Sequence, residues 1–180
     1  IGPKLFKEKA DMPANGLVYD IGAHLVDNAI SLFGKPLSFD KVTATHRAGS
    51  EVPDYFSFRL AYPHGLQVYL TSSLLTVEPT AGFIINGTVG SFIKNRTDVQ
   101  EEQLDAGMLP TDPAYGIEPA GNEGKLVTMG ADNQKTTEWV PSDKGCYELL
   151  FKAVQHTINN NALFPITEEQ IAWQLELLEK

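Results

Sequence analysis

The sequence has one cysteine, no basic cluster and no long apolar run, and each absence excludes a class of protein. A single cysteine, Cys146, excludes an intramolecular disulfide framework and favours a reducing compartment such as the cytoplasm. Its neighbours have the apolar pattern of a helix, so we expect the Cys146 side chain to lie in the core. No apolar run approaches the roughly 20 residues that a membrane-spanning helix needs.

The charge balance is acidic, with a formal net charge of −9 at pH 7. Lys4, Lys7 and Lys9 alternate with Glu8 and Asp11, and lysine and arginine form no cluster elsewhere in the sequence. A nucleic acid or an anionic membrane requires a basic patch on its protein partner. The sequence therefore predicts neither a nucleic-acid partner nor a membrane partner.

Two phosphate-binding glycine motifs are also missing. The 180 residues contain no Gly-x-Gly-x-x-Gly and no Gly-x-x-x-x-Gly-Lys-Ser/Thr. Gly87 and Gly90 have the wrong spacing, and the residues that follow them are typical of a strand rather than a helix. We therefore expect that this chain does not hold a dinucleotide cofactor by itself.

What the chain does have is an ordinary globular composition, 42% hydrophobic and 21% charged, which is enough for one packed domain. Alternating apolar and polar residues predict strands at 39–47, 55–62, 66–75, 82–86, 91–94, 124–129 and 135–140. Helices are predicted at 16–33, from Asp98 to Gly107, at about 145–160 and at 167–179. The pattern indicates an α+β fold with an open, mostly antiparallel sheet of about six strands and helices on one face.

One face of the predicted sheet has no helix to cover it, because three amphipathic helices are enough for only one face. Tyr55, Ser57, Thr71 and their neighbours should form a flat surface on the uncovered side. A flat sheet face without a cover favours pairing with a second copy of the chain, so we expect a homo-oligomer.

The segment 16–33 reads as one amphipathic helix with three ionisable side chains on one face. At about 100° per residue, His24 falls about 40° and Asp27 about −20° from Asp20. Asn28 and Ser31 share this face. The apolar side chains predicted for the opposite half are Ile21, Leu25, Val26, Ala29, Ile30, Leu32 and Phe33. A carboxylate one turn from an imidazole is a competent proton-transfer pair, because histidine titrates near neutral pH.

Other interpretations of this face remain open at the level of sequence. An acid in the first turn of a helix also serves as a cap, and an acid four residues from a histidine is a common surface pair of small energy. Asp20, His24 and Asp27 also have a spacing that suits metal ligation, which would indicate a metal-dependent hydrolase or lyase. A non-catalytic binding or oligomerisation module is a third alternative.

The same helix resembles a family signature. Gly16-x-x-x-Asp20-x-Gly-x-His24-x-x-Asp27, with Phe33-Gly34-Lys-Pro36 after it, is similar to the second domain of the glucose–fructose oxidoreductase, inositol dehydrogenase and rhizopine-catabolism (Gfo/Idh/MocA) family. Further segments resemble this family along nearly all of the chain: Gly87-Thr-Val-Gly90-Ser-Phe92, Asp98 to Gly107, Tyr115-Gly116, Gly124-Lys-Leu126 and Pro165-Ile-Thr-Glu-Glu169.

The resemblance implies a function and roles for individual residues. Members are nicotinamide-dependent oxidoreductases of sugars and polyols, and their N-terminal Rossmann domain holds NAD or NADP and supplies a catalytic lysine. By this resemblance His24 is the acid/base on the substrate hydroxyl, and Asp20 binds the substrate and tunes His24. Asp27 is interpreted as a helix-face residue that supports the fold or the interdomain surface. Substrate specificity is expected from residues near Thr80–Phe83 and from the long loop carrying Tyr115, a third candidate substrate-binding residue.

The resemblance also implies a fold and an assembly. The fold is expected to be like the C-terminal domain of glyceraldehyde-3-phosphate dehydrogenase, with the open sheet face building a dimer or a tetramer. The chain enters on Ile1-Gly2-Pro3, so we expect residues 1–180 to be a single C-terminal substrate-binding and oligomerisation domain without its Rossmann partner. We expect this chain alone to be inactive and to bind no cofactor.

Overall fold

The structure is a computed structural model of the chain, and it describes residues 8–78, 80–95 and 98–180. The opening Ile1-Gly2-Pro3 lies outside the described residues. The helices are α1 (Leu17–Asp20), α2 (Gly22–Phe33), α3 (Gln100–Asp105), α4 (Glu148–Asn160) and α5 (Glu168–Glu179). The strands are β1 (Ser38–Ala44), β2 (Tyr55–Ala61), β3 (Gln67–Ser73), β4 (Phe83–Asn86), β5 (Gly90–Lys94), β6 (Gly124–Met129) and β7 (Lys135–Val140).

The chain divides into two compact units, one formed by Ile1–Val77 with Pro165–Lys180 and the other by Glu78–Phe164. The first unit contains a sheet of order β1-β2-β3, and the second contains a sheet of order β4-β5-β6-β7, with every pair antiparallel. The α+β class and the antiparallel pairing are therefore confirmed. The hydrogen-bonded strands form sheets of three and four, because the described residues between β3 and β4 form turns and bends. The expectation of a single domain stays a prediction.

In the first unit, the two faces of β2 are those that the alternation predicts. Phe56, Phe58 and Leu60 are fully buried, and the side chains between them point to the other face of the sheet. On that other face, Ser57 is in register with Thr71, and their hydroxyl oxygens are 3.1 Å apart. The aromatic core side therefore holds the sheet against the helices, while the opposite side keeps its polar and small residues.

Two helices pack on the buried side of this sheet. Gly22, in the first turn of α2, lies close to Phe56 and to Leu178 of α5. Helix α5 begins with a capping box, in which Thr167 Oγ1 accepts from the backbone N–H of Gln170 and the Gln170 side chain accepts from the backbone N–H of Thr167. Burial of apolar side chains stabilises such a core by about 1.5–3 kcal/mol for each large side chain.

Three expectations about helices need correction. The predicted helix 16–33 is interrupted at Ile21, and Leu32 and Phe33 are 64% and 41% exposed, because α2 makes its last fully buried contact at Ile30. The Cys146 thiol is exposed rather than in the core, because it precedes α4 and that helix buries none of its own residues. The three long amphipathic helices were expected on one face of a single sheet. In the structure, α2 and α5 belong to the first unit and α4 belongs to the second.

The second unit contains a buried ion pair at the end of strand β5. The Lys94 ammonium donates to Glu118 and to the carbonyl of Asn122, both at 2.8 Å. Both charged side chains are nearly buried, so the pair ties β5 to the long loop before β6. In the part of the chain that the structure describes, no helix has both the length and the apolar character needed to cross a membrane.

Candidate active site

Asp20 and His24 lie on either side of the interruption between α1 and α2. Asp20 is the last residue of α1 and His24 lies in the first turn of α2. Ile21 keeps right-handed helical angles (φ −100°, ψ −36°) and its N–H donates to the carbonyl of Leu17 at 2.9 Å. The two side chains therefore remain one helical turn apart, and both are exposed.

The opposite side of the same helix is fixed in the core. Val26 is fully buried and Ile30 is 2% exposed, and Ala29 packs beside them. A helix held along its whole buried side presents its exposed side chains in a defined orientation. The Asp20 and His24 side chains therefore project from a rigid element, although α1 and α2 are short.

Asp27 has a different role from its two neighbours on the helix. It is half-buried, and its Oδ1 accepts a hydrogen bond of 2.6 Å from Nε2 of Gln174 on α5. This bond ties α2 to α5, in keeping with the expectation that Asp27 supports the fold. Within residues 8–78, 80–95 and 98–180, no three His, Cys, Asp or Glu side chains are grouped as metal ligands.

Tyr115 lies in the second unit and is 4% exposed. The next residue, Gly116, has a φ of +76°, and a Cβ there would lie 2.2 Å from the carbonyl oxygen of Gly145. The Gly116 N–H donates to Oε1 of Gln103 at 2.7 Å and its carbonyl accepts from Gly145 at 2.8 Å. The Tyr115 segment is therefore pinned by its neighbours inside its own unit, and its role in substrate binding stays a prediction.

A cavity of about 310 Å³ in the first unit does not include the candidate pair. Its lining includes Lys35, Phe39 and Trp173, and it lies beyond the C-terminal end of α2. His24 lies in the first turn of that helix, which at 1.5 Å per residue is about 18 Å long, and Asp20 precedes it at the end of α1. The candidate site on this chain is therefore an exposed helix face rather than an enclosed pocket.

A buried ionic network that no sequence pattern predicts lies in the same unit as the helix. Asp54 is fully buried, and its Oδ1 accepts from His46 N at 2.9 Å while its Oδ2 accepts from Arg47 N at 2.7 Å. The Arg47 guanidinium, itself 8% exposed, also contacts Asp54 and donates to Glu8. No motif marks these residues, because their partners lie up to 39 positions apart in the chain.

The pKa of Asp54 is lowered from its ordinary 3.8 to about 2. Burial by itself raises this pKa, but the hydrogen bonds from the backbone and side chains of Arg47 and His46 favour the carboxylate and outweigh burial. The folded state therefore holds the charged form of Asp54 more firmly than the unfolded state does.

A stability measurement at low pH tests this assignment. Because the folded pKa lies below the unfolded one, the stabilisation is present above pH 3.8 and is lost as the pH falls towards about 2. In urea unfolding between pH 5 and pH 2, the free energy of unfolding of the Asp54→Asn variant should fall less steeply with decreasing pH than that of the unsubstituted chain. Asp40→Asn, at an exposed ion pair with Arg59, should keep the slope of the original chain. Equal slopes for the chain and its Asp54→Asn variant would contradict the assignment.

Comparison with known proteins identifies the family. The profile described as "Oxidoreductase family, C-terminal alpha/beta domain" matches residues 6–179. The chain is 33% identical to scyllo-inositol 2-dehydrogenase (NADP(+)) IolW of Bacillus subtilis, over 87% of this chain and 43% of that protein. It is 36% identical to an uncharacterised oxidoreductase of Schizosaccharomyces pombe, over 93% of this chain and 49% of that protein.

Solved structures agree with the sequence comparison. The structure of the Bacillus subtilis protein yvaA, described as an oxidoreductase, superimposes with a TM-score of 0.87 at 31% identity, covering 95% of this chain and 49% of that one. The chain thus spans about half the length of the curated relatives it matches. The match extends along almost the whole chain, and the chain therefore belongs to the Gfo/Idh/MocA oxidoreductase family, matching that family's C-terminal α/β domain.

Proposed function

We propose that the complete protein containing this chain transfers a hydride between NAD or NADP and a hydroxyl-bearing carbon of a sugar or polyol. This chain supplies the proton-transfer pair Asp20 and His24. The observation that carries the proposal is the placement of these two side chains, one turn apart on the exposed side of a helix whose other side is buried. The relative IolW, named as an NADP⁺-linked dehydrogenase of an inositol, supports a polyol as the substrate class.

The chain's own residues handle the proton. In the proposed reaction His24 accepts the hydroxyl proton of the substrate during oxidation and returns it during reduction, as a general base and acid. The Asp20 carboxylate binds a substrate hydroxyl and orients the His24 ring, which lies one helical turn away. The buried contacts of α2 keep the pair oriented while the proton moves.

The nicotinamide cofactor does not fit residues of this chain. A dinucleotide phosphate is normally held at a helix N-terminus after a glycine-rich turn. Here Gly87 and Gly90 close the hairpin between β4 and β5, with Gly87 N–H donating to the Gly90 carbonyl at 2.8 Å. A nicotinamide cofactor would supply the hydride chemistry, and residues outside this chain would hold it.

A substrate screen on the complete protein tests the proposed class. Inositols, aldoses and linear polyols are incubated with NAD⁺ or NADP⁺, and reduced cofactor is followed at its near-ultraviolet absorbance. We expect at least one polyol or sugar to be oxidised with one reduced cofactor formed for each product molecule. Turnover restricted to substrates without a hydroxyl-bearing carbon, or unaffected by loss of His24, would contradict the proposal.

We further propose that the open face of the β1–β2–β3 sheet pairs with a second copy. Tyr69 and Val42 are 64% and 59% exposed on this face, and the Ser57–Thr71 pair lies between them. The exposed Arg59–Asp40 ion pair lies on the same face, in register with Tyr69. A sheet face without a cover favours a symmetric contact, which typically buries about 800 Å² on each partner.

Sedimentation equilibrium tests the proposed pairing. At micromolar concentration the complete protein should be at least a dimer, and Tyr69→Glu should shift it towards smaller species, because it places charges opposite each other or against apolar surface. Leu163→Glu, at a 97% exposed position in the second unit, serves as the control and should leave the mass unchanged. A dimer that resists Tyr69→Glu would place the contact elsewhere.

A further inference from the structure

The loop between β1 and β2 is held by one buried carboxylate. All four close donors to Asp54 come from two consecutive residues: the backbone N–H groups and the side chains of His46 and Arg47, at 2.7 to 3.3 Å. The Asp54 backbone is fixed as well, because its N–H donates to Ala44 and its carbonyl accepts from Leu74, both at 3.0 Å. The loop therefore begins and ends at a position anchored to the three-stranded sheet.

The same network reaches the segment that leads into α1. The Arg47 guanidinium bridges Asp54 and Glu8, and both carboxylates are buried. The Glu8 carbonyl accepts from Glu51 N at 3.3 Å, and the Glu51 carboxylate accepts from Ala10 N at 3.1 Å. The loop and the segment 8–16 are thus joined by both side-chain and backbone contacts.

Val52, near the end of the loop between β1 and β2, packs against Gly16, the residue that precedes α1. Gly16 has a φ of +92°, and a Cβ at that position would lie 2.8 Å from Cγ2 of Val52. Val52 is 8% exposed, so its methyl groups fill the space beside the glycine. The Gly16 carbonyl in turn accepts from the N–H of Asp20 at 3.0 Å. One contact and one hydrogen bond therefore separate Val52 from the backbone of Asp20.

We propose that the buried Glu8–Arg47–Asp54 network is a positioning device that sets Asp20 and His24 by holding Val52 against Gly16. The inference rests on the proposed function of that pair. It assigns to Arg47, Val52 and Asp54 a role as positioning residues, since none of them contacts the candidate pair directly. Fully hydrogen-bonded buried charges restrict a loop to one arrangement, and a rigid supporting shell keeps an acid/base pair in its productive geometry.

Two variants break this chain of contacts at different points. Val52→Ala removes the methyl groups that face Gly16 and leaves the ionic network intact. Arg47→Lys keeps the positive charge but removes the planar fork that bridges Asp54 and Glu8. The matched control is Val68→Ala, which deletes the same methyl groups from the same unit. Val68 pairs with Leu60, near the opposite end of β2 from Asp54.

Two readouts on the complete protein separate positioning from stability. The first is the imidazole Cε1 resonance of His24 in histidine-labelled protein, assigned by its loss in His24→Gln. The second is the split between kcat and the affinity for the cofactor. We expect Val52→Ala and Arg47→Lys to move the His24 resonance and to lower kcat about tenfold with unchanged cofactor affinity, because displacements near 1 Å cost up to about 10²-fold in rate. Val68→Ala should leave the resonance in place and kcat within about twofold.

The outcomes distinguish this inference from the proposed function. If Val52→Ala behaves like Val68→Ala in both readouts, the positioning role is wrong, whatever His24 does. If Val52→Ala moves the His24 resonance but His24→Gln leaves turnover unchanged, the positioning of the helix stands and the catalytic role of His24 fails. Should Arg47→Lys fail to fold, Val52→Ala with its control still decides the question.

Discussion

His24→Ala is expected to lower kcat of the complete protein by about 10²–10⁴-fold, the usual contribution of a positioned general acid/base. The imidazole is exposed on α2 and its removal takes no apolar surface out of the core, so the fold should persist. The loss should fall on the chemical step, because no cofactor-binding feature of the chain involves this side chain. Single-turnover absorbance measurements with saturating cofactor separate the chemical step from binding.

The variant Asp20→Asn extends the same test. Because the proposed role of Asp20 includes a direct bond to the substrate, this change should raise KM as well as lower kcat. His64→Asn provides a matched control: His64 is also exposed, and its φ of +61° is one that asparagine adopts readily. If His24→Ala and His64→Asn reduced turnover equally, or if neither did, the exposed helix face would not be the catalytic one.

The elements of the first unit were predictable because their apolar residues follow simple periods. Phe56, Phe58 and Leu60 alternate with smaller or polar side chains, and this period of two fixes which face of β2 is buried. The cap of α5 was equally predictable, since Thr167 and Gln170 satisfy each other within four residues. Local patterns of this kind are enough to predict the α+β class, because they do not depend on tertiary contacts.

Burial at helix ends was not predictable from the same patterns. Leu32 fits the apolar stripe of α2, but burial depends on where the helix runs past the sheet, and the fully buried contacts end at Ile30. Cys146 has apolar neighbours, yet it precedes the first residue of α4 and is exposed. Periodicity assigns a direction to each side chain, whereas the partner that covers it is set by distant parts of the chain.

The candidate site divides in the same way. Asp20 and His24 could be named from spacing and from the family resemblance, because a helical turn is a local relation. The contribution of Asp54 could not be predicted, because its contact with Arg47, and the contact of Arg47 with Glu8, form only in the folded chain. The pairing of Asp27 with Gln174, 147 positions later, is invisible in sequence for the same reason.

Titration with NADH and NADPH is expected to show at most feeble binding by this 180-residue chain and tight binding by the complete protein. The physical reason is how a protein binds the phosphates of the cofactor. Backbone N–H groups and the positive end of a helix after a glycine-rich turn supply most of that affinity, and the sequence contains no such turn. A loss of about 4 kcal/mol of binding free energy corresponds to about 10³-fold in Kd.

Fluorescence of the bound nicotinamide follows both titrations, and circular dichroism of the chain confirms that the helices are formed before cofactor is added. The complete protein provides the positive control under the same buffer conditions. Its Kd should be at least about 10³-fold lower than that of the chain. Tight, stoichiometric binding by the folded chain alone would mean that its own residues cradle the dinucleotide. In that case Asp20 and His24 would belong to a site that this chain completes without help from residues outside it.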